Sequence, residues 1–476
     1  MHAQNLIAGH WEPSGTTRRV LDPGLGTSVG EVSWSGGAEA ARAADSAAKA
    51  FGDWGRTTPR RRADVLRDAA DLLADRKKGI ARTLAREAGK LLPEAEAEIN
   101  FSVEYLRWFS EESRRVNGSV LAPEAPGRRH LAVRRPAGVA LSLTPWNFPV
   151  SIQARKLAPM LAAGCTVVAR VSEKAPLAAT ELFRALVDAG VPDGVVNLVH
   201  GPAREITAEL LDHPAVRIMS FTGSTGVGSA LMARGAARIV KPLLELGGNA
   251  PFIVFDDADL DAAVEGAVVA KLRNTGQSCV AANRFLVHES IAEEFGARLA
   301  SRFDSLTVGH GVPETGNELP GLGPVIDAER ARSVRALVED AVERGGKPLT
   351  STRAVPGEGS YVAPVLVADL PADAPLLTTE VFGPAAGIVR FRTEEEALTL
   401  ANSTEMGLAA YVWTSSPARA WTFGEELEAG IIGINDAVPS VAFAPMGGVK
   451  QSGLGREGAS EGIEEFLDTR YVAWRP

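Results

Sequence analysis

Apolar strand-like runs alternate with helical runs along the middle of this 476-residue chain. Between residues 151 and 245, helical segments separate the short apolar strands CTVVARV, VVNLVHG, VRIMSFT and IVKPLLEL. Strands that alternate with helices form βαβ units, whose strands lie parallel in one sheet. The alternation returns over 250–445, beginning with PFIVFDD and FLVHES. The sequence therefore predicts an α/β protein with parallel sheets, long enough for about two or three domains.

The stretch from Lys241 to Arg284 holds the residue types that covalent catalysis needs. Glu245 stands directly before a Gly-Gly pair, and Cys279 closes the polar run NTGQSC. A structural cysteine usually has apolar neighbours, whereas a nucleophilic one needs polar donors around its sulfur. On this stretch alone, Cys279 fits a nucleophile and an inert thiol about equally. The other cysteine, Cys165, lies in the apolar run AAGCTVV and is predicted to be buried and inert.

Two loops follow predicted strands, where open α/β sheets bind their ligands. The apolar strand GVALSL ends at TPWNFP, because proline cannot donate to a sheet ladder, and this end presents Trp146 and Asn147. The strand MSFT runs into the glycine-rich turn GSTGVG and a helix, where backbone N–H groups favour a phosphate. Asn147 alone also fits an ordinary turn, and the glycine-rich turn departs from GxGxxG. Neither loop identifies a nucleotide site by itself.

Composition argues against several classes of partner. The net charge is −9 and the isoelectric point is near 5.5, so the surface does not attract nucleic acid or an anionic membrane. The sequence has no apolar run long enough for a membrane span, and its N-terminus does not read as a secretory signal. Two cysteines cannot build a disulfide framework, and the seven histidines have no paired metal-ligand spacing. We therefore expect a cytoplasmic protein with no metal site.

Five motifs occur in order: TPWNFP (144–149), FTGSTGVG (221–228), LELGG (244–248), GQSC (276–279) and EVFGP (380–384). With them, essentially the whole chain closely resembles the aldehyde dehydrogenase superfamily. RKLAPMLAAGCTVV, RNTGQSCVAANRFLV and GGVKQSGLGREG are most similar to its succinate-semialdehyde dehydrogenase branch. The resemblance implies a Rossmann-type cofactor domain, an α/β catalytic domain and a small β oligomerisation extension. The implied boundaries are 1–115 with 134–246, then 247–442, and finally 116–133 with 443–476.

The resemblance also implies three catalytic roles. Cys279 is expected to attack the aldehyde carbon, so that the oxidation divides into hydride loss to NAD or NADP and thioester hydrolysis. The Asn147 side-chain amide and the Cys279 backbone N–H are expected to hold the oxyanion. Glu245 is expected to be the general base that activates water for the hydrolysis.

For the cofactor, the resemblance implies contacts from Trp146, Arg170, Ser172, Glu173, Gly223, Ser224, Gly228, Leu246, Glu380 and Phe382. Ser224 is expected at the pyrophosphate, Glu380 at the nicotinamide ribose and Phe382 near the ring. Glu173 is expected to accept a bond from the adenosine 2′-OH and to repel a 2′-phosphate, which favours NAD. Arg170 replaces the lysine usual at its position, and a guanidinium pairs well with a phosphate, so NADP stays the alternative.

Three residues match those that hold a distal carboxylate in the semialdehyde branch: Arg155, Arg273 and Ser440. Arginine binds a carboxylate through two parallel hydrogen bonds, so two such cations beside an apolar pocket favour a small aldehyde with an acidic far end. A sulfonate or the next longer semialdehyde satisfies the same arginines. In the alternative, each arginine pairs with a carboxylate of the protein, and the enzyme is a broad-specificity or aromatic aldehyde dehydrogenase.

Assembly and a rival class of function complete the predictions. The extension formed by 116–133 and the C-terminal tail is expected to join subunits into a homodimer or homotetramer, and the β-prone tail LDTRYVAWRP could pair with another subunit. A non-catalytic dinucleotide-binding protein is the distant alternative, because fold does not fix function. The joint presence of Cys279, Glu245 and Asn147 argues against it.

Overall fold

The computed structural model describes residues 1–312 and 318–476. The N-terminal part contains five short strands and four helices: β1 (His2–Ala3), β2 (Asn5–Ile7), β3 (His10–Glu12), β4 (Thr17–Leu21), β5 (Ser28–Ser33), α1 (Gly37–Trp54), α2 (Pro59–Asp75), α3 (Lys77–Ala88) and α4 (Leu92–Glu112). Local chemistry fixes where these helices start. The N-terminus of α2, for example, has Pro59 as its first residue, and the Thr58 hydroxyl accepts the Arg61 N–H at 3.3 Å.

A hairpin and a βα series follow: β6 (Ser119–Leu121), β7 (Arg129–Pro136), β8 (Val139–Leu143), α5 (Pro149–Ala163), β9 (Thr166–Arg170), α6 (Pro176–Asp188), β10 (Val196–Leu198), α7 (Ala203–Asp212), β11 (Val216–Thr222), α8 (Thr225–Ala236) and β12 (Lys241–Glu245). Every residue of β8 and β9 is buried, as expected of parallel strands that helices cover on both faces. The helix α5 ends at Gly164, whose φ of +98° suits glycine.

The second half repeats the alternation: β13 (Ala250–Val254), α9 (Leu260–Leu272), β14 (Ala282–His288), α10 (Ala292–Ser305), α11 (Ala328–Glu343), β15 (Lys347–Pro348), β16 (Val365–Ala368), α12 (Pro375–Thr378), β17 (Ala385–Phe391), α13 (Glu394–Asn402), β18 (Met406–Gly407), β19 (Ala409–Trp413), α14 (Pro417–Glu426), β20 (Ile431–Ile434), β21 (Val449–Lys450), β22 (Gly453–Leu454), α15 (Glu461–Glu464) and β23 (Leu467–Trp474). Two 3₁₀ turns, Ser113–Arg115 and Arg273–Gly276, follow α4 and α9.

Two large sheets form the body of the molecule. The first has the strand order β22-β12-β11-β8-β9-β10-β2-β3, and β12 to β10 in that order run parallel. The second has the order β15-β16-β17-β14-β13-β19-β20, and β16 to β20 in that order run parallel. Apolar residues of α2 to α6 pack on one face of the first sheet, and those of α1 and α7 pack on the other. The predicted α/β fold with parallel sheets is confirmed.

A small antiparallel sheet has the order β23-β7-β6. Its strand β23 pairs with β7 of the same chain over its whole length, from Leu467 opposite Pro136 to Trp474 opposite Arg129. The strand β23 lies at the edge of this small sheet, so a pairing of the tail with another subunit stays a prediction. In the same C-terminal segment, β22 joins β12 in the eight-stranded sheet and β21 pairs with β18. The domain boundaries stay predictions.

Three parallel neighbours in the first sheet end at the same edge. The strand β8 ends just before the TPWNFP loop, β11 ends at Thr222 before the glycine-rich turn, and β12 ends at Glu245. This edge is where open α/β sheets bind ligands, so the fold brings the predicted motifs together. Within the described ranges, no helix has both the length and the apolar character that a membrane crossing requires.

Candidate active site

Cys279 lies in a loop between the Arg273–Gly276 turn and β14. This loop packs tightly against the Gly-Gly pair that follows β12, because a Cβ on Gly248 would lie only 2.1 Å from the Cys279 carbonyl oxygen. Only glycine permits this approach, so the second glycine of LELGG is needed for the GQSC loop to pack beside it. Cys279 is partly exposed, whereas Cys165 is fully buried.

Two cavities share Cys279 as a wall residue. One has a volume of about 290 Å³ and contains all three predicted substrate residues, Arg155, Arg273 and Ser440. The other has a volume of about 360 Å³ and contains eight predicted site residues: Trp146, Asn147, Gly223, Ser224, Leu246, Cys279, Glu380 and Phe382. We call them the substrate cavity and the cofactor cavity. The thiol therefore stands between the two compartments.

The substrate cavity combines mostly apolar walls with two guanidinium groups and with the carboxyl groups of Glu94 and Glu98. Arg155 is buried, and its Nε lies 2.5 Å from Oε2 of Glu457. The Arg273 guanidinium lies 5.6 Å from the ring centre of Phe148, and no carboxylate of the described chain forms an ion pair with it. Pairing with a protein carboxylate thus holds for Arg155 but not for Arg273. Phe101, Ile152, Val280, Val438 and Met446 supply apolar wall.

The C-terminal segment contributes a buried carboxylate that the sequence reasoning missed. Glu457 binds Arg155, and its Oε1 lies 2.6 Å from the Lys156 ammonium and 3.2 Å from the Ser220 hydroxyl. Although burial opposes ionisation, Lys156 and Arg155 lower the pKa of Glu457. Glu457 is 301 residues from Lys156 in the sequence. No local sequence pattern predicts such a contact.

Glu245 has the environment of a poised base. Its carboxylate is buried, and neither oxygen has a hydrogen-bond partner among the described residues. Burial, with the negative charge of Glu457 added, raises the pKa of Glu245 to about 8. A carboxyl group with this pKa exchanges protons near neutral pH. Glu245 is not among the residues that line either cavity, although its charge acts on the Cys279 thiol.

Asn147 is docked against the cysteine loop. Its side-chain Nδ2 donates to the Gln277 carbonyl at 3.2 Å, and its backbone carbonyl accepts from Nδ2 of Asn274 at 3.0 Å. Burial, with a smaller contribution from the charges of Glu380 and Glu245 and an opposing one from Arg155, raises the pKa of the Cys279 thiol to about 12. The resting thiol is therefore neutral at pH 7, and its proton has to leave as the sulfur attacks.

The cofactor cavity has the features of a dinucleotide site. Ser224 caps α8 without a side-chain bond to the helix, which leaves the helix N-terminus open to a phosphate. The buried Thr222 hydroxyl has no partner among the described residues. Glu380 accepts the Gly248 N–H at 3.1 Å, and burial raises its pKa to about 7. Phe382 meets Trp146 edge to face at 5.5 Å. These residues fit a nicotinamide dinucleotide.

Four predicted cofactor residues lie outside this cavity: Arg170, Ser172, Glu173 and Gly228. The Arg170 guanidinium forms an ion pair with Glu173 and donates to the Gly201 carbonyl at 3.1 Å. Glu173 therefore has its own cation, and its effect on a 2′-phosphate stays a prediction. Gly228 packs on Leu246, because a Cβ there would lie 2.4 Å from Cδ2 of Leu246. Arg330, which the sequence reasoning missed, also lines the cavity.

Comparison with known proteins gives the same picture. The sequence model of the aldehyde dehydrogenase family matches residues 11–472. The chain is 41% identical over 474 residues to the mitochondrial succinate-semialdehyde dehydrogenase of Oryza sativa subsp. japonica, covering 99% of this chain and 89% of that protein. It is also 41% identical over 471 residues to the glutarate-semialdehyde dehydrogenase of Pseudomonas putida, covering 98% and 97%.

The chain belongs to the aldehyde dehydrogenase family. This aldehyde dehydrogenase superimposes with a TM-score of 0.96 on the succinate-semialdehyde dehydrogenase of Burkholderia pseudomallei, at 42% identity and covering 100% and 98% of the two chains. It superimposes with a TM-score of 0.95 on the betaine aldehyde dehydrogenase of Staphylococcus aureus in complex with NAD+, at 31% identity and covering 99% and 94%. The predicted family, fold and NAD(P)-dependent enzyme class are confirmed. The roles of individual residues stay predictions.

Proposed function

We propose that this aldehyde dehydrogenase oxidises a small acidic semialdehyde, such as succinate semialdehyde, to the carboxylic acid with NAD(P)+. The observation that carries the proposal is Arg273, a guanidinium without an ion-pair partner in the described chain, in the same apolar cavity as Cys279. A cation in such surroundings is costly unless an anion joins it. The carboxylate of the substrate is that anion, and the named activities of the relatives agree with it.

Substrate binding is expected to orient the aldehyde by both of its ends. The distal carboxylate accepts hydrogen bonds from Arg273, from Arg155 and from the Ser440 hydroxyl. The apolar wall of the cavity excludes water from the chain between the two ends. With the acid end fixed, the aldehyde carbon points towards Cys279, the residue that closes the cavity.

The first chemical step forms a bond between Cys279 Sγ and the aldehyde carbon. The thiol proton passes to a solvent water as the sulfur attacks, and the carbonyl oxygen becomes an oxyanion. The Asn147 side-chain amide and the Cys279 backbone N–H donate to this oxygen and stabilise its charge. Both residues line the cofactor cavity, so the adduct forms beside the place where the nicotinamide is expected.

When bound, NAD(P)+ would supply the hydride acceptor. Ser224 and the N-terminus of α8 are expected to hold the pyrophosphate, and Glu380 the nicotinamide ribose. Trp146 and Phe382 pack against each other and restrict where a planar ring lies. Cys279 retains the acyl group as a thioester. Of the two dinucleotides we propose NAD, because Glu173 repels a 2′-phosphate, with NADP as the alternative because Arg170 neutralises part of that charge.

Thioester hydrolysis needs a base that is strong near neutral pH, and Glu245 supplies it. Its carboxylate takes a proton from water, and the hydroxide equivalent attacks the thioester carbon. The same oxyanion donors then stabilise the second tetrahedral adduct. Collapse of that adduct breaks the C–S bond, returns a proton to the Cys279 sulfur and releases the acid.

The test of the proposal is a matrix of substrates and cofactors. Succinate semialdehyde, the neutral aldehyde of similar length and an aromatic aldehyde are each assayed with NAD+ and NADP+. Because an ionic hydrogen bond contributes about 1.5–3 kcal/mol, we expect kcat/KM to be about 10- to 100-fold higher for the semialdehyde than for its neutral counterpart. Equal or higher kcat/KM with neutral aldehydes would refute the preference for an acidic substrate and would indicate a broad-specificity aldehyde dehydrogenase.

We also propose that copies of this chain associate and work in the cytoplasm. The small sheet exposes large apolar and aromatic side chains on β6 and β23, with Val120 at 78%, Tyr471 at 59% and Trp474 at 56% exposure. Exposed groups of this kind mark association surfaces. Light scattering after size exclusion is expected to give the mass of two or four copies. Charge substitutions at Val120 and Trp474 are expected to reduce it, and a wild-type monomer would refute the association.

A further inference from the structure

Two glutamates of α4, Glu94 and Glu98, lie one helical turn apart in the wall of the substrate cavity. The proposed substrate is itself an anion, so negative charge in this wall opposes its binding. Neither residue belongs to the motifs that identify the family resemblance. Their contacts indicate a different role, since Glu98 accepts backbone N–H groups at the start of α5 and Glu94 accepts the N–H of Asn274, in the segment before Cys279.

Glu98 holds the start of α5, directly after Asn147. Its Oε1 accepts the N–H groups of Val150 at 2.9 Å and Ser151 at 3.2 Å, which are free donors at a helix N-terminus. Its Oε2 lies 2.7 Å from the Lys90 ammonium, and both side chains of this ion pair are fully buried. Lys90 in turn lies 3.7 Å from the ring centre of Phe148. The residue that follows Asn147 is therefore fixed by a buried charge.

Glu94 holds the other side of the site. Its Oε1 accepts the Asn274 N–H at 2.8 Å. Asn274 and Thr275 both have positive φ angles, +54° and +56°, a conformation that non-glycine residues adopt only at a cost and that is especially unfavourable for a β-branched threonine. Glu94 is one of the groups that keep the backbone in this state at the start of the loop that leads to Cys279.

Asn274 connects the two sides. Its side-chain Nδ2 donates to the Asn147 carbonyl at 3.0 Å and to the Gln277 carbonyl at 3.1 Å, so one amide ties the Asn147 loop to the Cys279 loop. The chain of contacts thus runs from Glu98 through the start of α5 to Asn147, and from Glu94 through Asn274 to the cysteine loop. Both chains begin on one rigid helix.

We propose that Glu94 and Glu98 are positioning residues that set the separation between the Asn147 amide and the Cys279 sulfur, and thereby form the oxyanion site. The proposal rests on the roles of Asn147 and Cys279 in the proposed function. In this proposal the two carboxylates position the groups that stabilise the transition state, and they do not recognise the substrate. Small displacements of this geometry are expensive, since about 1 Å costs up to about 100-fold in rate.

The first experiment compares Glu94→Ala with Glu94→Gln. Alanine removes the acceptor for the Asn274 N–H, whereas the glutamine amide oxygen still accepts it. We expect Glu94→Ala to lower kcat by about 10- to 100-fold for the semialdehyde and for the neutral aldehyde alike, with KM changed by less than about threefold. Glu94→Gln is expected to retain kcat within about threefold of wild type.

A second readout separates positioning from damage to the fold. Acylation of Cys279 by p-nitrophenyl acetate passes through an oxyanion, whereas alkylation by iodoacetamide does not. Glu94→Ala is therefore expected to slow acylation in parallel with kcat and to leave the alkylation rate within about twofold. Glu104→Ala is the matched control, because Glu104 lies on the same helix, is exposed and contacts only Arg107 in the described chain.

Glu98 requires a charge-balanced design. Glu98→Gln leaves the Lys90 ammonium buried without a counter-ion, so we expect lower kcat and a lower unfolding temperature. The double variant Lys90→Met/Glu98→Gln removes both charges and keeps an acceptor for the Val150 N–H. It is expected to restore kcat to within about threefold of wild type. A double variant as slow as Glu98→Gln would overturn the role of Glu98.

Two outcomes would overturn the role of Glu94. In the first, Glu94→Ala acylates and turns over like wild type. In the second, Glu94→Ala lowers KM for the semialdehyde at unchanged kcat, as expected for a negatively charged wall and nothing more. If wild-type enzyme oxidises none of the aldehydes, the proposed function fails, yet the comparison of acylation with alkylation still decides the positioning role.

Discussion

The two cysteines of this chain occupy opposite environments. Cys165 is fully buried beside β9, where its Sγ lies 3.4 Å from the Phe466 carbonyl, and burial raises its pKa to about 11. Cys279 has a raised pKa of about 12, yet it faces two cavities. Acidity therefore does not distinguish the two thiols. What distinguishes them is the pair of cavities in front of the Cys279 sulfur and the two groups near it, Asn147 and Glu245, which we propose as oxyanion donor and general base.

The largest effect is expected from exchanging each thiol for a methyl group. Cys279→Ala removes the nucleophile and should lower dehydrogenase turnover by at least about 1,000-fold, because no covalent adduct forms. Cys165→Ala serves as the matched control and should turn over like wild type. Steady-state NADH formation measures both. Substantial turnover by Cys279→Ala would refute both the difference between the two thiols and the proposed covalent mechanism.

The next largest effect is expected from Glu245, the proposed base near Cys279. Glu245→Gln preserves the shape of the side chain but cannot take a proton, so kcat should fall by about 100- to 1,000-fold through slow thioester hydrolysis. Formation of the acyl-enzyme should persist. Rapid mixing is expected to show a burst of about one NADH per Cys279 followed by a slow phase. Absence of the burst would place Glu245 before the hydride step.

Substrate recognition should respond less strongly. Arg273→Ala removes a guanidinium that has no ion-pair partner in the described chain, and we expect KM for succinate semialdehyde to rise about 10- to 100-fold with little change for the neutral aldehyde. Arg330→Ala, in the other cavity, supplies the contrast, since it should leave the preference for acidic substrates intact. Equal losses on acidic and neutral aldehydes would mean that Arg273 supports the loop rather than the substrate.

The pH dependence should follow Glu245. Its pKa in the folded protein is about 8, and the deprotonated form is the base. Below pH 8 the active fraction decreases as pH falls, so hydrolysis-limited kcat should drop about tenfold per pH unit and level off above about pH 8. Glu245→Gln should have a flat profile over the same range. A wild-type profile that is flat from pH 6 to 9 would contradict the assignment.

The smallest effect is expected from Cys165 itself. Cys165→Ala deletes one sulfur from a packed core and should cost about 1 kcal/mol of unfolding free energy. Urea denaturation followed by tryptophan fluorescence measures this cost, and kcat should change by less than about twofold. A kcat loss as large as that of Glu245→Gln would show that packing around Cys165 affects catalysis, although Cys165 lines neither cavity.

Much of the fold and the centre of the site could be predicted from sequence. Alternation of strands and helices predicts parallel sheets, and the prolines around Trp146 and Asn147 mark the end of a strand. The five motifs predict the family as a set, and the structure gives a physical reason for one of their residues: a Cβ at Gly248 would collide with the Cys279 carbonyl oxygen.

The contacts that join distant parts of the chain could not be predicted in this way. Glu457 was missed as the partner of Arg155, because the ion pair depends on how the C-terminal loop docks on α5. Glu94 and Glu98 were missed for a different reason. Their four-residue spacing on a helix is visible, but acidic residues at that spacing usually form a solvated face, and only the docking of α5 and the cysteine loop gives them partners.

The late position of Glu457 in the chain has a consequence for biosynthesis. Lys156 and Cys165 each wait for a contact that lies 301 residues further on, Glu457 in one case and Phe466 in the other. During translation the strands β8 and β9 emerge long before these partners exist, and contacts of such sequence separation form slowly. Arg155 thus acquires its counter-ion only when residue 457 has left the ribosome. A nascent chain therefore contains Cys279, the proposed nucleophile, well before it contains the carboxylate that pairs with Arg155 in the substrate cavity.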